Sequence, residues 1–314
     1  MTRLADSPVP ARRYLIGGTT FTARPLEPGL HVVATPIGNL RDMTIRAIET
    51  MAAADVVACE DTRITRRLLD HFGLTVPLVP YHEHNAAEMR PKLLARLAAG
   101  QAIALCSDAG TPLVSDPGFK LVEAVRGADL PVIPVPGASA VLAALVAAAL
   151  PTDAFFFDGF LPPRTVGRRD RARALAGVPG SLVFFETGPR LAASLADLHA
   201  ELGDRQAAVC RELTKSHEEV RRGSLGELAA HYAGAADPKG EIVLVVAPPG
   251  EAPPPPADDI DAMLTAALAT GSVKDAAAAV AAATGLPRRD LYQRALTLAQ
   301  AAAGGDDPPP GKAR

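Results

Sequence analysis

The 314-residue chain has no tryptophan, only four tyrosines and only three cysteines. Cys59, Cys106 and Cys210 lie far apart, each in an apolar, strand-like run, which excludes a disulfide framework or a cysteine-rich zinc site and reads as buried thiols in a reducing compartment. No charged segment followed by an apolar stretch opens the chain, and the longest apolar run, Ala140–Leu150, falls short of the roughly 20 residues that a membrane span needs. A cytoplasmic protein with no membrane segment and no metal is therefore expected. The formal net charge of -3 carries no whole-molecule nucleic-acid signature, so any contact with a polyanion must come from a local basic patch. GxGxxG, GxxxxGK[ST], GxSxG and HExxH are all missing. Dinucleotide, P-loop, α/β-hydrolase and zincin readings thereby lose their usual supports.

What is present is an ordinary globular composition, 48% apolar and 21% charged, on a chain long enough for about two domains and an appendage. Residues 1–28 lack periodicity and read as a loose, flexible extension. From Leu30–Ala34 onward, short apolar runs such as Val56–Cys59, Ala102–Cys106 and Val132–Val135 alternate with helical patterns, which predicts a largely parallel sheet covered on both faces. A break at Pro151 predicts a second α/β unit. Its strands fall at Phe155–Asp158, Leu182–Glu186, Ala207–Glu212 and Glu241–Val246, and Ser224 and Glu227 have capping-box spacing. Residues 248–257 read as a stiff Pro-rich linker, 258–303 as three Ala-rich helices, and 304–314 as a disordered tail.

Ser107–Gly118, SDAGTPLVSDPG, interrupts this pattern at the end of a strand. Open α/β sheets bind ligands outside their strand carboxyl ends, and Gly110 and Gly118 permit close backbone approach there. Glu60-Asp61-Thr62-Arg63 concentrates charge after another strand; Asp61 or Thr62 can cap the following helix, which leaves Glu60 and Arg63 unexplained. His82-Glu83-His84-Asn85 lies on the same edge, with Asn85 placed to cap a helix. Histidines two apart in an extended segment point in opposite directions, which argues against a shared metal. Arg164, Arg168, Arg169, Arg171 and Arg173 form the one dense basic cluster, either a solvated face or a phosphate contact.

Eight segments occur together and in order: TPIGNLRDMT from Thr35, CEDTR from Cys59, YHEHN from Tyr81, SDAGTPLVSDPG from Ser107, PVPGASA from Pro134, FLPPR from Phe160, RELTK from Arg211 and GEIVLVV from Gly240. In this the chain resembles the small-subunit rRNA (cytidine-2′-O-)methyltransferase I family of the tetrapyrrole (corrin/porphyrin) methylase superfamily, over about Leu30 to Ala247. The resemblance implies two α/β domains, residues 29–150 and 151–247, with S-adenosylmethionine in the cleft between them. It also implies a homodimer, a cytidine 2′-hydroxyl in the decoding region of 16S rRNA as substrate, and no metal. Carried onto this sequence, the cofactor side comprises Pro36, Gly38 and Asn39, then Asp108, Ala109, Gly110, Thr111, Pro112, Ser115 and Asp116, then Pro136 and Gly137, with Glu186 closing it.

A carboxylate, histidine or lysine must collect the hydroxyl proton. Asp61, Glu83 and Lys215 are candidates of the right type, and the choice among them stays open. With RNA as substrate, Arg164, Arg168, Arg169 and Arg171 are the expected phosphate contacts. One departure stands out. Where the family has a Tyr-Glu-Ser-Pro-His-Arg type segment, this chain reads Phe185-Glu186-Thr187-Gly188-Pro189-Arg190, so the family's histidine is absent and that position receives no catalytic role. The alternatives are a tetrapyrrole C-methylase on the same fold, or an RNA-binding assembly factor without catalysis.

Overall fold

The computed structural model describes residues 12–116, 118–250 and 256–303; the expected tail, half of the expected linker and the first eleven residues lie outside them. Strands β1 (Arg13–Ile16) and β2 (Thr19–Thr22) form a hairpin turned at Gly17-Gly18, both at positive φ. Tyr14 enters the core and the Leu15 amide donates to the Phe72 carbonyl, so this part of the expected loose extension is fixed structure. Two four-residue runs around a Gly-Gly pair are a hairpin signal too short to register as periodicity.

The first sheet is wholly parallel, in the order β5-β4-β6-β3-β7. It comprises β3 (Gly29–Val33), β4 (Val56–Cys59), β5 (Leu78–Pro80), β6 (Ala102–Cys106) and β7 (Val132–Val135). Between them run α1 (Ile45–Ala53), α2 (Thr62–His71), α3 (Ala86–Ala98) and α4 (Phe119–Gly127), followed by α5 (Ala140–Ala148). Burial on both faces explains the unbroken apolar strands. Ile48 and Met51 of α1 pack with Val33, Val57 and Ala104 on one face, whereas Leu121 and Val125 of α4 pack with Leu30, Ile103 and Leu105 on the other.

The second sheet is mixed. It contains β8 (Phe155–Phe160), β9 (Ser181–Thr187), β10 (Gln206–Arg211), β11 (Glu219–Ser224) and β12 (Glu241–Val246), in the order β11-β10-β12-β9-β8. Only β8 and β9 are parallel; β12 runs antiparallel between β9 and β10, and β11 folds back on β10. Helices α6 (Thr165–Leu175), α7 (Gly188–Leu202) and α8 (Leu225–Ala233) pack on one face around Leu182, Phe184, Leu195 and Leu244. α8 starts at the capping box of Ser224 and Glu227. The other face is covered by α5 of the first half: Val141, Ala144, Leu145 and Ala148 pack on Val183, Ala208, Val243 and Val245. Both sheets thus belong to one compact unit ending at Pro249. The second unit contains α9 (Ala257–Leu268), α10 (Val273–Thr284) and α11 (Arg288–Ala303) around Ile260, Leu264, Val280 and Leu291. No helix among the described residues is long and apolar enough to cross a membrane.

Four of the cluster's five arginines fall on α6, and those four are paired; Arg164 is the residue before the helix. Arg168 is 3% exposed, with Nη2 2.7 Å from Asp197 of α7 and Nη1 donating to the Pro163 carbonyl. Arg169 and Arg173 pair with Glu201, and Arg171 pairs with Asp158. The expected phosphate contact at Arg168 is therefore corrected: its guanidinium is buried and neutralised, while Arg164 is exposed with no ion pair among the described residues. Removing one partner of a buried pair strands the other charge. Arg168→Ala is expected to lower stability in urea unfolding by about 3 kcal/mol, and Arg164→Ala by less than about 0.5 kcal/mol.

Candidate active site

All five strands of the first sheet end on one edge, so the loops after them share it. In the order β5-β4-β6-β3-β7 the chain leaves β3 toward β4 and leaves β6 toward β7, in opposite directions, with α1 and α4 on opposite faces. The carboxyl ends of the neighbours β3 and β6 are therefore the switch point of the sheet, where a crevice opens. Two hydrogen bonds close its base. The Thr35 amide donates to the Gly110 carbonyl at 2.8 Å, and the Gly110 amide returns to Thr35 at 3.0 Å. Gly110 has φ +75° with Ile37 Cγ2 3.3 Å from where a Cβ would sit. The Thr111 hydroxyl donates to the Ala138 carbonyl at 3.2 Å and ties in the loop after β7.

Above this base the second sheet supplies the facing wall. Three adjoining spaces result. An apolar cleft of about 280 Å³ is walled by Ala109–Thr111 and Val114–Asp116 on one side, and by Phe160, Phe185 and Gly240–Val243 on the other. Phe185 packs edge-on against Phe160, ring centroids 5.6 Å apart. Ile37, Ala109 and Glu241 also belong to a second pocket of about 280 Å³, completed by Gly38, Leu40, Ile64, Arg67, Asp108 and Lys215. Asp108 is shared in turn with a shallow basin holding Glu60, Asp61, His82 and His84.

Lys215 joins the two halves. Its stem crosses Gly38, where a Cβ would lie 2.6 Å from Lys215 Cε, and its Nζ sits 2.8 Å from Glu212 and 3.1 Å from Glu241. Burial pulls the ammonium's pKa down, but these two carboxylates outweigh it and the pKa is raised. Lys215 is thus held as a cation, suited to an anion or a developing negative charge and unsuited to accepting a proton. Among the acids, burial and mutual repulsion raise Glu60, Asp108 and Asp116. Asp61 behaves oppositely. Its hydrogen bonds with Arg63 side chain and amide hold it at about 2, the helix-cap geometry of α2. The Asp61 amide donates to Asp108 Oδ1 at 3.0 Å and locks the loops after β4 and β6 together.

The structure gathers most of the residues expected at the site, with exceptions. Ala109, Gly110, Thr111, Ser115, Asp116 and Glu186 line the apolar cleft, while Pro36, Gly38, Asp108 and Lys215 line the second pocket. Glu186 is committed elsewhere: its carboxylate takes the Ser194 hydroxyl and the Thr187 amide and lies 3.2 Å from Arg190, so it braces the wall. Asn39 caps the turn Leu40–Asp42 by accepting from the Arg41 amide, and Gly137 packs on Ala34. Pro112, Pro136 and the exposed Glu83 line none of the three spaces; His82 and His84 line the basin in place of Glu83. Asn85 makes no side-chain cap on α3. It accepts from the His82 amide and donates to the Pro80 carbonyl, stapling its loop. Leu40, Ile64, Arg67, Phe160, Gly240 and Glu241 also line these spaces and went unassigned in the sequence; for Glu241 the reason is that the register placing it opposite Thr187 is antiparallel and long-range.

A parallel sheet with its crevice facing a mixed sheet defines a class. The sequence profile of the Tetrapyrrole (Corrin/Porphyrin) Methylases matches residues 29–229, and that of the RsmI C-terminal HTH domain matches residues 254–299. Among solved structures, a cobalt precorrin-4 methyltransferase superposes with a TM-score of 0.53 at 17% identity over 69% of this chain and 93% of its own. Diphthine synthase does so with 0.53 at 17% over 69% and 89%. Nearer relatives are named ribosomal RNA small subunit methyltransferase I. That of Mesorhizobium japonicum is 52% identical over 93% of this chain and 99% of its own. Those of Erythrobacter litoralis and Escherichia coli O157:H7 are 54% and 44% identical over 88% and 85% of this chain and 98% and 94% of theirs. The chain belongs to the ribosomal RNA small subunit methyltransferase I family, within the tetrapyrrole methylases.

Proposed function

We propose that this protein transfers a methyl group from S-adenosylmethionine to the 2′-hydroxyl of a cytidine in the decoding region of 16S rRNA, on the small ribosomal subunit in the cytoplasm. The observation that carries the reading is identity of 44 to 54%, over most of both chains, to proteins named for rRNA methylation. The apolar cleft suits the donor: Ile37, Val114, Phe160 and Phe185 offer apolar walls to a purine, and the burial-raised carboxylate of Asp116 gains from meeting a cation. S-adenosylmethionine supplies a sulfonium-bound methyl group; as the ribose oxygen bonds the methyl carbon, the carbon–sulfur bond breaks and its electron pair stays on sulfur. The protein's own tasks are alignment and removal of the hydroxyl proton. Tritium transfer from labelled donor, with 30S subunits, naked 16S rRNA and a precorrin offered in parallel, is expected to label the 30S particle. Label in the tetrapyrrole alone would sink the proposal, and binding of the particle without transfer would point to an assembly factor.

For the proton, Asp108 fits better than the candidates named from sequence. Asp61 at about 2 is a weak acceptor, Lys215 is kept protonated, and Glu83 lies outside the pockets. Asp108 lines the second pocket beside the apolar cleft, has one oxygen fixed by the Asp61 amide, and has its pKa raised chiefly by burial. A base works when deprotonated, so the rate rises with pH through this raised value. Asp108→Asn is expected to lower kcat by about 10²-fold and abolish that acidic limb, with donor affinity by calorimetry essentially retained; an unchanged kcat removes Asp108 from this role.

We also propose a homodimer. Phe119, Leu142 and Val146 are 65%, 56% and 82% exposed, more apolar surface than an isolated copy favours on elements beside the cleft. Light scattering is expected to return twice the 32.5 kDa chain mass, and Val146→Glu to shift it toward the single chain; a wild-type monomer overturns the assignment.

A further inference from the structure

The α6 arginines are neutralised, which leaves the question of what faces RNA. The second pocket carries an answer at its mouth. Arg67 of α2 lines it, and Arg66 is its neighbour on the same helix. Arg41 adjoins Leu40 in the turn that forms the opposite lip. All three are exposed and none forms an ion pair among the described residues, whereas Arg63, one turn earlier on α2, is tied to Asp61. Two large apolar side chains, Leu40 and Ile64, stand 41% and 43% exposed at the same mouth. The floor holds the Lys215 ammonium and Asp108.

Unpaired guanidinium groups around an apolar-lipped pocket with a polar floor complement one chemistry in particular. A nucleotide presents anionic phosphate on either side of a sugar, and an unstacked base presents flat apolar faces. Guanidinium forks match phosphate oxygens, and partly exposed apolar side chains match the base. Resting on the methyltransferase reading above, we infer that Arg41, Arg66 and Arg67 grip RNA phosphates flanking the target nucleotide, and that this nucleotide enters the pocket between Leu40 and Ile64. The RNA face is then the α2 side of the first sheet, and α6 is a scaffold helix.

Binding can be measured apart from methyl transfer, which separates this inference from the reading beneath it. Filter binding of the full chain to 30S subunits across a salt series is expected to show Arg66→Ala/Arg67→Ala weakening affinity at least about tenfold near 0.15 M salt and flattening the log–log salt slope by one to two. Arg41→Ala, on a separate element, is expected to lose about threefold or more by the same measure. Donor affinity and melting temperature stay at wild-type values. Arg169→Ala, whose charge is already paired with Glu201, leaves the slope unchanged. If the wild type methylates 30S particles but the double variant keeps wild-type affinity and slope, or Arg169→Ala costs more, this inference alone falls. If the wild type neither methylates nor binds them, the functional reading falls and takes the inference with it.

Discussion

Two backbone hydrogen bonds between Thr35 and Gly110 are the constraint on which the site depends. The chain leaves β3 and β6 toward opposite faces of the sheet, so the loops that follow diverge and would leave a gap open to water. The bridge closes the base of that gap with backbone alone and leaves the side chains of both loops free to line what lies above. It also explains the local composition. Gly110 adopts φ +75° with Ile37 against it, a position where a side chain would meet both strain and crowding, and Ile37 is one of three residues shared by the apolar cleft and the second pocket.

The loops that meet across the cleft are built differently, by strain and by missing side chains. Leu113 and Ser115 in the loop after β6, and Glu212 and Thr214 in the loop after β10, all hold positive φ without being glycine. Such conformations cost on the order of 1–3 kcal/mol each and persist only where surrounding contacts over-determine them. Here those contacts are visible. The Glu212 amide donates to the Glu241 carbonyl, the Glu241 amide returns to the Glu212 carboxylate, and Gly240 at φ +100° leaves that carboxylate room. Glu212 is thereby aimed at Lys215, whose stem needs the bare surface of Gly38 in the other half. Gly159, likewise at positive φ, lets β8 approach Ser115. The two halves meet where a glycine of one gives room to a polar side chain of the other, Gly38 to Lys215 and Gly159 to Ser115.

What could be read from sequence was whatever rests on local spacing. Asp61 capping α2, the Ser224–Glu227 box and the long loop between β6 and α4 each involve residues within a few positions of one another. What escaped has a partner far away. Arg168 looks like its exposed neighbours until Asp197, 29 residues on, buries it. β11, with the sequence EVRRGS, has no apolar face and is a strand because it pairs along its whole length with the buried β10. Alternation of strands and helices implied largely parallel pairing, yet in the second sheet β12 returns antiparallel between β9 and β10 and sets Glu241 at the cleft. Charge density misled for the same reason, since four of the five arginines in that segment, Arg168, Arg169, Arg171 and Arg173, meet carboxylates, most of them on other elements.

The altered segment after Phe185 illustrates how a departure can be absorbed by packing. Gly188 opens α7 with the Pro238 carbonyl occupying the space a side chain would need, so glycine here is demanded by the neighbouring loop. Pro189 then takes a place in the first turn, where its missing amide is no loss. Arg190 remains. It lies 3.2 Å from Glu186 and donates to the Leu161 carbonyl at 2.5 Å, which ties the end of β9 to the loop before α6. With Ser194 and the Thr187 amide completing the shell of Glu186, every contact of this segment is a brace. The missing histidine therefore changes how the cleft wall is buttressed. Asp108, whose amide contact from Asp61 joins the loops after β4 and β6, sits on the other half of the unit, on a loop that this segment does not brace.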